Sequence, residues 1–260
     1  AEVLGQVALV AAEDTRSTRH LLNHYGISAK LVSLHEHNEH RMRQSLIQEL
    51  LAGNNVAVVS DAGTPLINDP GFELVEAALE NGLCVVPIPG ANAMIAALSV
   101  AGLATDRFGF YGFPPRSSAA RKEWLCSLIE QSGTLVFYES CHRIKDFLID
   151  CAEVFPAERK LVIARELTKI HESVIRTRIG AAISLLETDP YIGKGELVVL
   201  IEGARVKPKE SALTAEHVRL IEILLEECSV MKTAELVVRI TGLGRKLVYA
   251  AAIEIEKKRS

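Results

Sequence analysis

Aromatic side chains are scarce in this chain: they make up 5% of its 260 residues, with Trp124 the single tryptophan. The core must therefore be mainly aliphatic, and a hydrophobic content of 48% is ample for one large or two medium domains. Long apolar runs are missing too. None approaches the roughly 18 residues that a membrane span needs, and no secretory signal stands out. Cysteine is sparse and odd in number. Cys84, Cys126, Cys141, Cys151 and Cys228 form no C-x-x-C pair, which speaks against a disulfide framework and for thiols in a reducing cytoplasm. Positive charge is not in excess. With a net charge of −4, any polyanion has to be held by local patches rather than by a basic coat.

Several signatures are lacking as well. There is no G-x-G-x-x-G and no G-K-[ST], so neither a dinucleotide fingerprint nor a P-loop is supported. No G-x-S-x-G elbow and no recognised cysteine nucleophile occurs, which leaves covalent catalysis without support. The opening "AEVLGQVALVAAEDTR" has no methionine and reads as the last turn of a helix entering a strand at 7–12. A strand and half a helix are expected before Ala1.

What is present is alternation. Short aliphatic runs at 7–12, 30–34, 56–60 and 83–88 read as strands, and amphipathic stretches at 15–25, 39–52, 70–81 and 92–101 as helices. Near-continuous apolar strands separated by helices indicate a parallel sheet covered on both faces. Ligands of such sheets bind at the carboxyl ends of the strands. The loop "SDAGTPLINDPG" after the third strand and "PIPGANAM" after the fourth are placed accordingly. "RFGFYGFPPRSS", with Pro114 and Pro115 adjacent, reads as a crossing between two lobes. A helix at 119–131, a strand at 134–138, a helix at 142–155 and strands near 161–165, 173–178 and 196–202 then make a second α/β unit. "EGARVKPKESALT" reads as a solvated linker, followed by about three short helices whose break "ITGLGRK" resembles a helix-turn-helix connection. The expected domains are 1–113, 114–204 and 214–260.

Individual groups carry two readings each. Gly63 can bring backbone close to a ligand, while Asp69 followed by Pro70 looks like a helix start with Pro70 in the first position. Gly90, Ala91 and Ala93 permit close helix–sheet packing and also leave room for a flat ligand. His35, His37 and His40 would suit a metal, yet no further ligand set with recognised spacing accompanies them, so a polar loop is expected and no metal. Asp14 or Thr15 can cap a helix, on which Arg16 and Arg19 share a face that could hold phosphates. Glu139, Arg143, Arg165, Glu166 and Lys169 stand at strand ends, where charges form ion pairs or act on a substrate. Lys194 and Glu196 flank Gly195 before a buried strand.

The motifs "AAEDTR", "LHEHNE", "VSDAGTPLINDPG", "PIPG", "GFPPR", "FYESCHR", "ARELTKIHE" and "KGELVVLIEG" follow one another across nearly the whole chain. In that order the set resembles the bacterial small-subunit ribosomal RNA methyltransferases that modify a cytidine 2′-hydroxyl in the decoding region. These belong to the tetrapyrrole methylase-like class. The resemblance implies a two-lobed α/β fold (class III S-adenosylmethionine-dependent methyltransferase) with a small C-terminal helical element. It also implies a homodimer acting in the cytoplasm on ribosomal RNA or the assembled small subunit, with S-adenosylmethionine as cofactor in the cleft between lobes.

By the same resemblance, Asp61, Gly63, Thr64, Pro65, Leu66 and Ile67 line the donor pocket with Gly90, Ala91 and Ala93. Tyr138, Glu166, Leu167, Gly195 and Glu196 face it from the second lobe. Glu166, Lys194 and Glu139 become the candidates nearest the reacting hydroxyl, with Asp61 next. Arg16, Arg19, Arg116, Arg121 and Lys122 are candidates for RNA contact at the cleft or hinge. In the tail, Lys232, Arg239, Arg245 and Lys246 make either a second RNA surface or part of a packing element. Family members open on a strand and a "TPIGNL"-like loop, which this sequence lacks. A tetrapyrrole or other small-molecule substrate, and a non-catalytic RNA-binding assembly factor, are the competing readings.

Overall fold

The computed structural model describes residues 1–204 and 213–259. The chain forms two compact units, Ala1–Gly203 and Ala204–Ser260. Most of the expected linker, 205–212, lies outside the described residues.

The first unit opens with a short helix α1 (Glu2–Gln6), followed by β1 (Leu9–Ala12), α2 (Thr15–His24), β2 (Lys30–Ser33), α3 (Glu39–Leu51), β3 (Val56–Val59) and α4 (Phe72–Glu80). Its sheet is parallel, in the order β2-β1-β3. β1 is paired on both sides and every one of its residues is buried. β3 pairs with β1 alone among the described residues and is only half-buried. Helices α3 and α4 close one side of this sheet through Leu46, Ile47, Leu74 and Ala78, packed with Leu9, Ala11 and Leu34.

The strand expected at 83–88 does not form. That stretch joins no ladder, and Val85, Val86 and Ile88 are 42%, 66% and 62% exposed. Its β-branched composition favours extended backbone, but a strand also needs an edge to pair with, which composition cannot supply.

The rest of the unit comprises α5 (Ala93–Ala101), β4 (Phe108–Phe110), α6 (Ser118–Leu128), β5 (Thr134–Ser140), α7 (Ile144–Val154), β6 (Lys160–Arg165), β7 (Ser173–Arg178), α8 (Ala182–Thr188) and β8 (Glu196–Ile201). The sheet runs β4-β5-β8-β6-β7, with only β4 and β5 parallel. Period-two alternation sorts its side chains into two cores. Leu135, Phe137, Leu161, Ile163, Leu197, Val199 and Ile201 meet α6, α7 and α8. Val136, Val162, Ala164, Val198 and Leu200 meet Met94, Ala97, Leu98 and Ala101 of α5. The apolar, small-residue helix α5 therefore seals the second sheet.

One polar group is buried between α6 and α7. Arg121 and Asp150 form an ion pair at 2.6 Å, their side chains 3% and 5% exposed, and Ser118 donates to the other carboxylate oxygen at 2.9 Å.

The second unit holds α9 (Ala215–Glu227), α10 (Val230–Thr241) and α11 (Arg245–Arg259) around Ile221, Leu225, Val237, Leu243, Val248 and Ala252. Thr214 and His217 make a reciprocal capping box at the start of α9. Gly242, at φ +72°, ends α10 in the left-handed conformation and turns the chain into α11. Among the described residues, no helix is long and apolar enough to cross a membrane.

Candidate active site

The loop after β3 is built to a tight, reversed shape. Gly63 takes φ +76°, and Leu66 and Asn68 also lie in the left-handed region, at φ 72° and 68°. The loop ends at Gly71, which adopts φ +120° and caps α4, so Phe72 is the first helical residue. Pro70 thus stands outside the helix, contrary to its expected place there. A distant group makes the difference. The buried carboxylate of Glu39, on α3, accepts from the Gly71 amide at 3.0 Å and the Leu74 amide at 3.4 Å, replacing a local cap.

This loop touches the next one. The Asn92 side chain donates to Thr64 Oγ1 at 3.2 Å and accepts from the Ile95 amide at 3.2 Å, capping α5. A Cβ on Gly63 would have only the Ala91 carbonyl near it, at 4.0 Å, and one on Gly90 would meet nothing within 4 Å. Both glycines leave backbone open to a flat ligand. Below them, burial raises the Asp69 carboxyl above its ordinary range. A hydrogen bond with Ser60 opposes the shift, and the charges of Glu13 and Asp61 add to it. Asp61 itself is held by its amide, which donates to Glu13 Oε2 at 3.1 Å. Asn68 reaches the glycine- and proline-rich stretch after β4, where a Cβ on Gly112 would stand 2.7 Å from its Oδ1.

The second sheet contributes a matching pair of turns. Glu166 (φ 48°) and Thr168 (φ 66°) again have left-handed backbone. Glu166 Oε1 accepts from the Glu196 amide at 2.8 Å and from Lys169 Nζ at 3.1 Å. Those two bonds, the amide first, hold its carboxyl below the usual range. Lys169 also pairs with Glu196 at 3.0 Å. Gly195, at φ +82°, lies directly under this carboxylate, since a Cβ there would be 2.5 Å from Glu166 Cγ. Leu167 and Tyr138 pack against the core cluster that includes Met94 at the start of α5. Burial raises the Tyr138 hydroxyl, with the Met94 backbone opposing.

Leu66, Asn68, Glu166 and Thr168 are the only non-glycine residues with positive φ among those described. Such backbone costs on the order of 1–3 kcal/mol per residue and clusters at functional loops. All four sit in the 60–71 and 166–168 loops, on opposite sides of Tyr138 in the sequence.

The other candidates are distributed differently. Glu139 has a side chain with no exposure; Oε1 accepts from its neighbour Ser140's amide at 2.8 Å and lies 3.5 Å from Arg143 Nε, while Oε2 has no hydrogen-bond partner among the described residues. Burial raises its carboxyl, and the Ser140 amide and Arg143 work against the rise. A buried acid with a raised pKa stabilises the fold below the ordinary value of 4.5, and the contribution is lost as pH rises through the folded value. Denaturant unfolding should accordingly show some stability lost as pH rises above 4.5, and Glu139→Gln should flatten that profile. Lys194 is exposed, its Nζ 5.3 Å from the centre of the Tyr191 ring. His35 and His37 stand edge to face at 6.0 Å, and the described residues include no group of three or more side chains suited to a metal.

A family model described as Tetrapyrrole (Corrin/Porphyrin) Methylases matches residues 1–183, and one described as the RsmI C-terminal HTH domain matches 211–256. A protein of Pseudomonas aeruginosa named ribosomal RNA small subunit methyltransferase I is 44% identical over 256 residues, which cover 98% of this chain and 91% of that one. Its namesake from Escherichia coli O157:H7 is 44% identical over 253 residues, 97% of this chain and 88% of that one. The chain belongs to the ribosomal RNA small subunit methyltransferase I family. Solved structures agree on the fold. The methyltransferase CobJ superposes with a TM-score of 0.56 at 18% identity, over 78% of this chain and 86% of its own. Cobalt precorrin-4 methyltransferase CbiF gives 0.53 at 16% identity, over 77% and 86%.

Within this family member, the cations expected to meet RNA have unequal fates. Arg121 is a correction: it is buried against Asp150 and donates to the carbonyls of Pro115 and Arg116, so it has no surface to offer a phosphate. Lys122 pairs with Glu153 at 3.0 Å and Arg16 with its helix-capping neighbour Asp14 at 2.8 Å, both on the surface. That contact lowers the Asp14 carboxyl to about 2. Arg19, Arg116, Arg245 and Lys246 are exposed. Asn68 and Asn92 were missed as structural parts of the site. For Asn92 a signal existed, since an asparagine before a run of small residues is a cap pattern. For Asn68 there was none, because its partner is Gly112.

Proposed function

We propose that this methyltransferase transfers a methyl group from S-adenosylmethionine to the 2′-hydroxyl of a cytidine in the decoding region of small-subunit ribosomal RNA. The observation that carries the reading is the placement of the four left-handed residues in the two loops that the family resemblance sets along the donor. Asp61, Gly63 to Ile67, Gly90, Ala91 and Ala93 would hold the donor from the first lobe; Tyr138, Leu167, Gly195 and Glu196 would hold it from the second. The open backbone at Gly63 and Gly90 suits such a group. When bound, the donor supplies an electrophilic methyl carbon on a sulfonium, and no metal is needed for the displacement.

What the chain must add is alignment and help with a weakly acidic hydroxyl. Positioning oxygen, carbon and sulfur in line can supply several kcal/mol, and a positioned base about 10²- to 10⁴-fold. Of the three charged candidates, Glu166 is best suited to positioning. Its carboxylate is engaged by the Glu196 amide and Lys169, and its lowered pKa makes it a poor proton acceptor. Lys194, exposed beside this turn, could stabilise negative charge developing on the oxygen. Glu139 is sealed from solvent, which favours a role in holding Arg143.

Glu166→Gln keeps a carbonyl oxygen for the Glu196 amide and should retain turnover within about threefold, whereas Glu166→Ala should lose it about tenfold or more by leaving that amide without its partner. Equal, severe losses in both variants would instead make Glu166 the base. The function itself is tested by calorimetric binding of S-adenosylmethionine, then transfer of labelled methyl to small-subunit particles. The expected product resists alkaline cleavage after one cytidine. Donor binding without transfer to RNA would overturn the reading and point to a small-molecule substrate.

RNA binding in this reading also draws on the C-terminal unit. Arg245 and Lys246 begin α11, the position from which the second helix of a helix-turn-helix reaches nucleic acid. A homodimer and a cytoplasmic location, where the ribosomal substrate is found, complete the proposal; sedimentation would measure the first.

A further inference from the structure

Beside the proposed donor site, a cavity of about 630 Å³ opens between the lobe crossing at 113–116 and the start of α7. We propose that this recess receives the target nucleotide, with Phe113 stacking on the base and Arg116 and His142 holding the adjoining phosphate. The inference deepens the RNA methyltransferase reading and rests on it.

The frame of the recess is fixed from behind. Arg143 Nη2 donates to the carbonyls of Pro114 and Pro115 at 2.5 and 3.1 Å. Arg121 Nη1 donates to those of Pro115 and Arg116 at 3.2 and 3.1 Å. Three successive carbonyls are thus tied to two guanidiniums, one of them buried in the Asp150 pair. A turn held in this way presents its side chains in fixed directions, which a site needs if it is to order a flexible substrate.

Two of the groups facing outward form no polar contact among the described residues. Phe113 is 49% exposed although its ring meets Tyr138, 5.8 Å away and inclined at 62°. Arg116 and His142 are exposed, and their side chains make no hydrogen bond or ion pair among the described residues. A free aromatic face beside two free donors is the arrangement that single-stranded RNA uses, with bases splayed onto aromatic rings and phosphates on guanidinium. A base lifted from its stack also exposes the ribose hydroxyl. The volume falls within the range of sites that take a small organic group.

Position supports the same occupant. Phe113 touches Tyr138, the proposed wall of the donor site, and Ser140 at the recess is paired in register with Glu196 beneath the Glu166 turn. The recess and the proposed donor turn at Gly195 and Glu196 therefore lie at the same end of the β5–β8 pair. A second cavity, about 470 Å³, is lined by Lys160, Arg176 and Arg178 at the other end of the sheet. Its cations are spent on the Glu202 carboxylate and the carbonyls of Val100 and Glu158.

The test uses Phe113→Leu, Arg116→Gln and His142→Gln in the full chain, with calorimetric S-adenosylmethionine binding as control. Each variant should bind the donor within about twofold of the parent. Phe113→Leu should lower kcat/KM on small-subunit particles by about 10- to 100-fold. Arg116→Gln should raise KM and reduce the salt slope of binding by about one, with kcat little changed. Unchanged kcat/KM in all three, with an active parent, overturns the recess alone. If the parent transfers no methyl group, the functional reading fails first, and a fluorescent single-stranded RNA 12-mer then decides on the recess. Weaker capture by the Phe113→Leu/Arg116→Gln double variant supports it; equal capture, or none by the parent, overturns it.

Discussion

Asp150→Ala will unfold with about 3–5 kcal/mol less stability than the parent chain, the largest stability effect of any single substitution considered. The substitution leaves the Arg121 guanidinium, 3% exposed, without its carboxylate and removes the acceptor of Ser118. The guanidinium cannot be rehydrated without separating α6 from α7. The loss should also reach the recess, because Arg121 holds the Pro115 and Arg116 carbonyls. Replacing both partners by apolar residues of similar size has a different outcome. An Arg121→Met/Asp150→Leu chain should lose much less stability than Asp150→Ala, since no charge is left buried, even though the Pro115 and Arg116 carbonyls lose their donor. Urea midpoints at constant slope will separate the two cases. If Asp150→Ala costs less than about 1 kcal/mol, water reaches the pair and the interior there is not dry.

Gly195→Ala will weaken donor binding at least tenfold while leaving the second sheet folded. Two independent costs meet at this residue. Its φ of +82° is a conformation in which a side chain is strained, worth about 1–3 kcal/mol. The added methyl would also lie 2.5 Å from Glu166 Cγ and 2.6 Å from Oε1. The Glu166 side chain must then leave, breaking its bond to the Glu196 amide and its pair with Lys169. Calorimetry on the variant reads the first effect, and thermal melting reads the second. Donor binding equal to the parent's would show that the 166–168 and 195–196 turns lie away from the donor. A further Glu166→Ala change in the Gly195→Ala background should restore part of the stability by removing the clash.

These two residues also mark where the sequence could and could not be read. β5, β6 and β8 were legible because each is a run of residues whose alternate side chains serve two separate cores, so apolar character is continuous. β4 was not, since three residues within a glycine- and proline-rich stretch carry no period of their own. The run at 83–88 shows the converse: strong local preference, and no partner strand. Arg121 looked like a surface cation of an amphipathic helix. Its fate was set by Asp150, 29 residues further on, and by the fold that brings α6 and α7 together. The left-handed backbone at Leu66 and Glu166 had no local sign either, because neither residue favours it. It is imposed from outside, at Glu166 by hydrogen bonds to Glu196 in both directions. The glycines were readable as points of close approach, while the groups approaching them were not.

The half-open sheet has a practical consequence for handling the protein. β3 presents one unpaired margin among the described residues, in a run, Val56–Val59, with no charge and no proline to guard it. Val86 and Ile88 add further uncovered apolar surface in the same lobe. Peptide groups along such a margin are indifferent to which chain supplies their partners. Colloidal stability, more than folding stability, will set the usable concentration of this polypeptide, and turbidity should rise with concentration before any unfolding is detected.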